Sequence, residues 1–198
     1  MAVNLKKGDQ VELAKSKSNS KILVGLSWDL SPQNDYIDFD LDTSIFLVGR
    51  NGKVTKESDF IFYDNLIHDS GAIEHTGDNQ TGEGDGDNEV IRIDLDLIPA
   101  DINKIIFVVT IYDADNREQN FGQMENASIR IIDEETGEEK IHFDLCEDFS
   151  IETALVVAEI YRYNNEWNFA AIGSGYSGGL HVLCQVYGLD IATALHAQ

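Results

Sequence analysis

The stretch Ile22-Leu-Val-Gly-Leu-Ser-Trp28 is the first of several runs that decide the fold class. Its β-branched and aromatic residues are typical of a strand. Many short strands at fairly regular spacing predict an all-β fold, a β-sandwich, rather than a parallel α/β sheet. Similar runs, each bounded by Gly, Asn or Asp, are Ile45–Val48, Phe60–Tyr63, Val90–Leu97, Ile105–Tyr112 and Ser128–Ile132.

The C-terminal part of the chain predicts a hairpin followed by a helix. Ala154–Tyr163 and Trp167–Ile172 flank Asn164-Asn165-Glu166, which is typical of a hairpin turn. The apolar spacing in Glu152–Tyr161 is also compatible with a helix, so that alternative stays open. Leu180–Tyr187 predicts a short terminal helix, and short helical segments are therefore expected near the C-terminus.

The chain is expected to form a single domain, residues 1–198, from two similar strand modules of about 1–104 and 105–198. Gly25-Leu-Ser-Trp-Asp29 is echoed by Val109-Thr-Ile-Tyr-Asp113, 84 residues later. The same offset aligns Asp42 with Asn126. Because the counterpart of Asp38–Asp42 in the second module, Gly122–Asn126, has a single acid, Glu125, we expect the first module to carry the functional site.

The charge balance restricts the partners. The 198 residues include 14 Lys and Arg against 36 Asp and Glu, a formal net charge of −22. Such a surface repels nucleic-acid phosphate, and it avoids an anionic membrane unless a cation intervenes. Residues 22–49 and 57–91 contain acids but no Lys or Arg, which indicates that the compensating positive charge comes from outside the chain.

Neither a secretory signal nor a disulfide framework is expected. Met1–Gln10 has lysines but no apolar segment, and no apolar run has the length of a membrane span, so the default compartment is the cytoplasm. Cys146 and Cys184 have apolar neighbours and are interpreted as small buried residues.

An acidic, glycine-rich segment, His75–Glu89, is the strongest candidate for a functional site. Calcium takes six to eight oxygen ligands, and glycines let a loop turn its own carbonyl groups inward. The segment does not fit an EF-hand, because Glu83 stands where that loop needs Gly, and it lacks the Gly-Lys-Ser/Thr of a phosphate loop. The side-chain oxygens come from Asp78, Asn79, Thr81, Glu83, Asp85, Asp87 and Glu89, and the glycines are Gly77, Gly82, Gly84 and Gly86.

A second acidic element is Asp38-Phe-Asp-Leu-Asp42. In a strand, Phe39 and Leu41 would enter the core, and Asp38, Asp40 and Asp42 would form a row of carboxylates on the other face. Such a row is unfavourable without a cation, although a plain amphipathic edge strand would have the same pattern.

Other metals are less well supported than calcium. The five histidines show no zinc-ligand spacing, and magnesium suits so large a ligand set less well. His75 is expected to be either a surface residue or a neighbour of the ligands.

Catalysis is weakly supported, and we expect no enzyme. Gly175-Tyr-Ser-Gly-Gly179 matches the Gly-x-Ser-x-Gly hydrolase pattern, with Ser177 as the nucleophile. Only Asp190 and His196 follow it in the required order, so we interpret the motif as a glycine-rich turn before the last helix. Trp28 and Trp167 are expected to be core residues.

The chain resembles the TerD family of tellurium-resistance and general stress proteins over nearly its whole length. The segments that carry the resemblance are Val24–Asp29, Phe39–Ser44, Asp59–Tyr63, His75–Glu89, Phe107–Asp113, Asn120–Gly122, Glu152–Ala154, Glu159–Arg162 and Gly175–Gly179. The resemblance implies a calcium-binding β-sandwich, a role in bacterial stress and in resistance to tellurite, phage and colicins, and two neighbouring calcium ions. It places the ligands at Asp38, Asp40, Asp78, Asn79, Gly82, Gly84, Asp87 and Glu89, to which the residue pattern adds Asp42 and Asp85. Asn88 is a departure, because close relatives often have a further acid there.

Three functions remain open at this point. The first is a calcium-dependent scaffold or sensor whose partners are calcium, other tellurium-resistance proteins and a complex at the inner membrane surface. The second is a metal-dependent enzyme that acts on phosphate-containing substrates, which would need an open coordination position and a pocket. The third is direct sequestration of tellurium oxyanions, which the acidic charge disfavours.

Overall fold

The computed structural model describes residues 2–14, 20–30, 40–76, 87–145, 149–164 and 166–190, apart from the side chains of residues 14, 29, 30, 125 and 126. The strands are β1 (Val3–Leu5), β2 (Gln10–Ala14), β3 (Lys21–Leu30), β4 (Leu41–Val48), β5 (Phe60–Ile61), β6 (Ile73–His75), β7 (Glu89–Asp94), β8 (Lys104–Ile111), β9 (Met124–Asp133), β10 (Glu139–Asp144), β11 (Ala154–Tyr163) and β12 (Glu166–Tyr176). The helices are α1 (Ala114–Arg117) and α2 (Gly179–Tyr187), and 3-10 turns occupy Glu57–Asp59 and Phe121–Gln123.

The strands form two six-stranded sheets. The first sheet has the order β1-β10-β9-β3-β7-β6, and the second has the order β2-β12-β11-β8-β4-β5. Among the described strand pairs, β1 and β10 run parallel, and the others are antiparallel. The prediction of an all-β sandwich with a short helix near the C-terminus is confirmed.

Two apolar layers stabilise the sandwich. The larger one lies between the sheets and includes Leu26, Ile91, Phe107 and both tryptophans, Trp28 and Trp167, as expected. The smaller one covers the outer face of the second sheet with α2 and includes Phe46, Phe60, Val108, Leu183 and Cys184. Burial raises the pKa of the Cys184 thiol to about 11, so this cysteine is an inert apolar residue, as predicted. Cys146 lies outside the described residues.

Strand β11 decides between the strand and helix interpretations of Glu152–Tyr161. Ala154–Tyr163 pairs with β8 on one side and β12 on the other, so the helical interpretation of Glu152–Tyr161 is wrong. Residues 154–158 are all buried, because one face of the strand meets the other sheet and the opposite face meets α2. A strand buried on both faces loses the alternation that would have identified it. The predicted hairpin is confirmed, with Tyr163 opposite Glu166.

The similarity of the two modules stays a prediction, but strands that match at this offset occupy equivalent positions in the two sheets. The offset of 84 residues carries β3 onto β8 and β4 onto β9. Strand β3 pairs with β9 in the first sheet, and β8 pairs with β4 in the second sheet. Within the described part of the chain, no helix is long and apolar enough to cross a bilayer.

Candidate metal centre

One end of the sandwich, which we call the acidic end, is formed by Asp40–Thr43, Asp87–Glu89 and Ile111–Asp115. The strand register brings these segments together. Glu89, at the start of β7, pairs with Leu26 of β3, and Leu41, at the start of β4, pairs with Ile111 at the end of β8. The backbone N–H of Tyr112 also donates to the Asp40 carbonyl at 2.8 Å. The two acidic elements of the sequence therefore meet at the same end of the fold.

Glu89 is a buried carboxylate that joins the two sheets. Its side chain is on the inward face of β7, shared with Ile91 and Ile93, and the residue is only 2% exposed. Its Oε2 accepts the backbone N–H of Thr43, on β4 of the other sheet, at 3.1 Å, and lies 3.6 Å from His75 Nε2. The other oxygen, Oε1, has no hydrogen-bond partner among the described residues.

This unpartnered oxygen is a candidate ligand for a cation. Burying a carboxylate in an apolar interior costs several kcal/mol unless a positive charge or hydrogen bonds compensate it. The Thr43 hydroxyl is also buried and without a hydrogen-bond partner in the described structure, although its backbone contacts Glu89. Two buried oxygens on contacting residues are the kind of ligands that calcium takes. Glu89 and Thr43 would thus hold the ion from between the sheets.

Asp87 is compensated by the chain itself. Its Oδ1 accepts a hydrogen bond from Arg130 Nε at 2.7 Å, and this contact raises the pKa of the Arg130 guanidinium. The Asp87 side chain also covers Gly25, where an added Cβ would lie 2.0 Å from Asp87 Oδ2. Asp87 therefore lies on the outer face of the first sheet, where its carboxylate pairs with Arg130.

The glycine at position 25 leads to a testable prediction. Gly25→Ala is expected to displace the Asp87 side chain and to lower the free energy of unfolding by about 2 kcal/mol, because the methyl group would overlap the carboxylate. Urea denaturation measures this change. Gly49→Ala is the control, since its added Cβ would meet no atom closer than 3.5 Å. Equal losses in the two variants would contradict the close packing of Asp87 on Gly25.

Asn88 fixes the backbone between the two acids. Its N–H donates to the Leu26 carbonyl at 2.8 Å, and its Oδ1 accepts the Trp28 N–H at 2.9 Å. The Asn88 side-chain amide therefore makes a backbone contact with β3.

Asp40 and Asp42 occupy different positions from Glu89. Asp40 precedes β4, and its carboxylate is 3.9 Å from Arg117 Nη2. Asp42 faces away from the sheet interface, as its predicted alternation with Leu41 requires, and lines a cavity of about 440 Å³ on the outer side of the second sheet. The structure thus joins the Asp42 strand to Glu89 through Thr43, but it does not bring the Asp42 and Glu89 carboxylates to one side.

Several predicted ligands lie outside the described residues: Asp38, Asp78, Asn79, Gly82, Gly84 and Asp85. Within the described ranges, no group of three or more His, Cys, Asp or Glu side chains has an arrangement that would hold a metal. The complete ligand set and the number of ions stay predictions.

Two residues beside the candidate ligands have clearer roles in the structure than in the sequence. His75 is 3% exposed, so the alternative of a surface position is wrong, and its Nε2 lies 3.6 Å from Oε2 of the candidate ligand Glu89. Thr43 is not among the predicted ligands, although its alternation with Asp42 places it on the inward face of β4. Ser177 lies exposed in the turn between β12 and α2.

Comparisons with known proteins agree with the fold and the motifs. The TerD domain family model matches residues 1–187. General stress protein 16U of Bacillus subtilis is 51% identical over 192 residues, which cover 96% of this chain and 100% of that protein. Tellurium resistance protein TerD of Serratia marcescens is 51% identical over 191 residues, which cover 96% of this chain and 99% of that protein.

Solved structures support the same architecture. The crystal structure of a homologue of telluride resistance protein (TerD) from Streptomyces coelicolor superposes with a TM-score of 0.67 over 82% of this chain and 94% of that chain. At 23% identity, this likeness bears on the fold alone.

Proposed function

Because this chain belongs to the TerD family of tellurium-resistance and stress-response proteins, we propose that it is a non-catalytic, calcium-binding stress protein. In this proposal it acts as a calcium-dependent scaffold or sensor that docks on protein partners or on the inner membrane surface. The observation that carries the proposal is the buried Glu89 carboxylate, with one oxygen hydrogen-bonded across the sheets and the other without a partner in the described structure.

The bound ion would supply positive charge where the chain has little of its own. Calcium would be held by Glu89 and Thr43 from between the sheets, together with ligands from Asp38–Asp42 and Asp78–Asp87. The ten predicted ligand residues would together coordinate two ions. Glu89 would keep its contact with the Thr43 N–H in this state, so that it links the ion to both sheets.

The proposed docking depends on the negative charge of the chain and on its local reduction by calcium. A chain of net charge −22 is repelled by phosphate-rich surfaces and by other acidic proteins. Divalent ions at the acidic end would reduce this repulsion locally and could bridge to carboxylate or phosphate groups of a partner. Calcium would therefore control where the acidic end can bind.

A calcium titration tests the proposal. Chelator-treated protein is expected to bind calcium saturably in calorimetry, and calcium at about 100 times its Kd should add roughly 2.7 kcal/mol to the free energy of unfolding. Sedimentation with phosphatidylserine vesicles should recover the protein in calcium and not in chelator. Magnesium at equal concentration is the control ion. No heat of binding at millimolar calcium would refute the calcium site, and saturable binding with equal vesicle recovery in calcium and chelator would refute the docking role.

A further inference from the structure

The cavity beside Asp42 is a separate feature of the fold. It has a volume of about 440 Å³ and lies between the ends of β4 and β8 and the start of α2. Its walls include Asp42, Asp113 and Asp115, with the rings of Tyr63 and Tyr112, so we call it the tyrosine–carboxylate cavity. A volume of this size is within the range of sites for small ligands.

The lining selects against anions. Among the described residues that line the cavity, none is Lys or Arg. The two backbone N–H groups at the start of α2, those of Gly178 and Gly179, donate to Thr153 Oγ1 at 3.1 and 3.0 Å. These two N–H groups are therefore engaged within the chain, and a phosphate group in the cavity would meet the carboxylates of Asp42, Asp113 and Asp115.

The same lining suits an organic cation. The guanidinium of the chain's own Arg117 lies over the Tyr112 ring, 5.4 Å from its centre, and 3.9 Å from Asp40. Arg117 and Asp40 lie outside the cavity lining, but their contact shows that the Tyr112 ring, which does line it, packs against a guanidinium beside a carboxylate. Bare metal ions gain little from tyrosine rings, whereas an alkyl-linked cation gains both charge pairing and apolar contact.

We propose that the tyrosine–carboxylate cavity binds a ligand with a guanidinium or ammonium group on an alkyl stem. Asp113 and Asp115 would pair with the cationic group, and Tyr63 and Tyr112 would contact its stem. Neither aspartate is among the predicted calcium ligands, whereas Asp42, which also lines the cavity, is one of them. The glycine turn at Gly175–Gly179, left without a function by the hydrolase comparison, forms one wall of the cavity through Gly178 and Gly179.

Calorimetric titration of the full chain in chelator with butylguanidinium tests this proposal. We expect one site per chain with a Kd below about 1 mM, and binding of the uncharged isostere butylurea at least about tenfold weaker. A parallel titration with N-acetylarginine N-methylamide distinguishes the source of the cation. If this backbone-bearing probe also binds, the ligand class includes an arginine side chain of a partner protein. If only butylguanidinium binds, the ligand of the cavity is a free small molecule.

The matched variants locate the site. Asp113→Asn with Asp115→Asn should weaken butylguanidinium binding at least about tenfold, since each change removes charge without changing shape. Asn tolerates the left-handed backbone of residue 113, where φ is 50°, so the fold should persist. Asp101→Asn, an exposed change beyond the other end of β4, should have no effect. Equal affinity for butylguanidinium and butylurea in the wild-type chain would overturn the proposal. So would unchanged binding in the double variant or stoichiometric displacement of the probe by calcium.

Discussion

Glu89→Gln is expected to stabilise the calcium-free protein and to destabilise the calcium-loaded protein, both relative to the wild-type chain in the same state. Without calcium, the wild-type chain buries a carboxylate whose Oε1 has no partner among the described residues. Gln keeps an oxygen for the Thr43 N–H but removes the buried charge, so the free energy of unfolding should rise by about 1 kcal/mol.

With calcium, the sign of the Glu89→Gln effect reverses. The variant loses a charged ligand that is already held in place by Thr43, and its calcium affinity should fall at least about 100-fold. Urea denaturation of both proteins, in chelator and in calcium, measures the four free energies. Glu74→Gln on neighbouring β6 is the control, because Glu74 is an exposed partner of Arg92 and should contribute less than about 1 kcal/mol in either state. A loss of equal size in both states would identify Glu89 as a structural residue only.

Asp59→Ala is expected to lower the free energy of unfolding by about 3–5 kcal/mol, with or without calcium, because it breaks the contact between two buried side chains, Asp59 and His68. Asp59 Oδ2 accepts the Thr55 hydroxyl at 2.7 Å, and Oδ1 lies 3.1 Å from His68 Nε2. The Ser70 backbone N–H donates to His68 Nδ1 at 3.2 Å, so that nitrogen carries no proton. The Nε2–H of His68 therefore donates to Asp59.

The position of this network explains the size of the expected loss. Asp59 immediately precedes β5 of the second sheet, and the His68 backbone N–H donates to the Ile73 carbonyl of β6 in the first sheet. The Asp59–His68 contact thus joins the two sheets at their shared edge. The Tm of Asp59→Ala should fall by about 10 °C in differential scanning calorimetry. Exposed Glu57→Ala in the same 3-10 turn is the control and should change the stability by less than about 0.5 kcal/mol. A comparable Tm in both variants would show that the network contributes little.

The strands that could be predicted are those with strong local patterns. Ile22–Trp28 and Ile105–Tyr112 are long enough and rich enough in β-branched residues to be identified without tertiary information. Strand β1, with three residues, pairs parallel with β10, and β2 lies at the edge of the second sheet. Their formation depends on contacts with residues more than 100 positions away, which local composition does not contain.

The candidate site also has features that could be predicted from the sequence and features that could not. Alternation along β7 places Glu89 on the face of Ile91 and Ile93, so its burial could have been inferred from the sequence. The contact of Glu89 with Thr43 could not, because it depends on how the two sheets pack. The pairing of Asp87 with Arg130, 43 residues apart, requires the β3–β9 register, and it shows that not every acid near the glycine-rich segment lacks an internal cation.

The most direct test of the calcium site is a crystal structure of the full chain grown in millimolar calcium, with anomalous scattering used to locate the ion. We predict a calcium ion bound to the Glu89 carboxylate through its second oxygen, with the Thr43 N–H contact retained. If the crystals instead showed Glu89 Oε1 bonded to a protein donor, with no metal at the acidic end, the calcium-binding role would be contradicted.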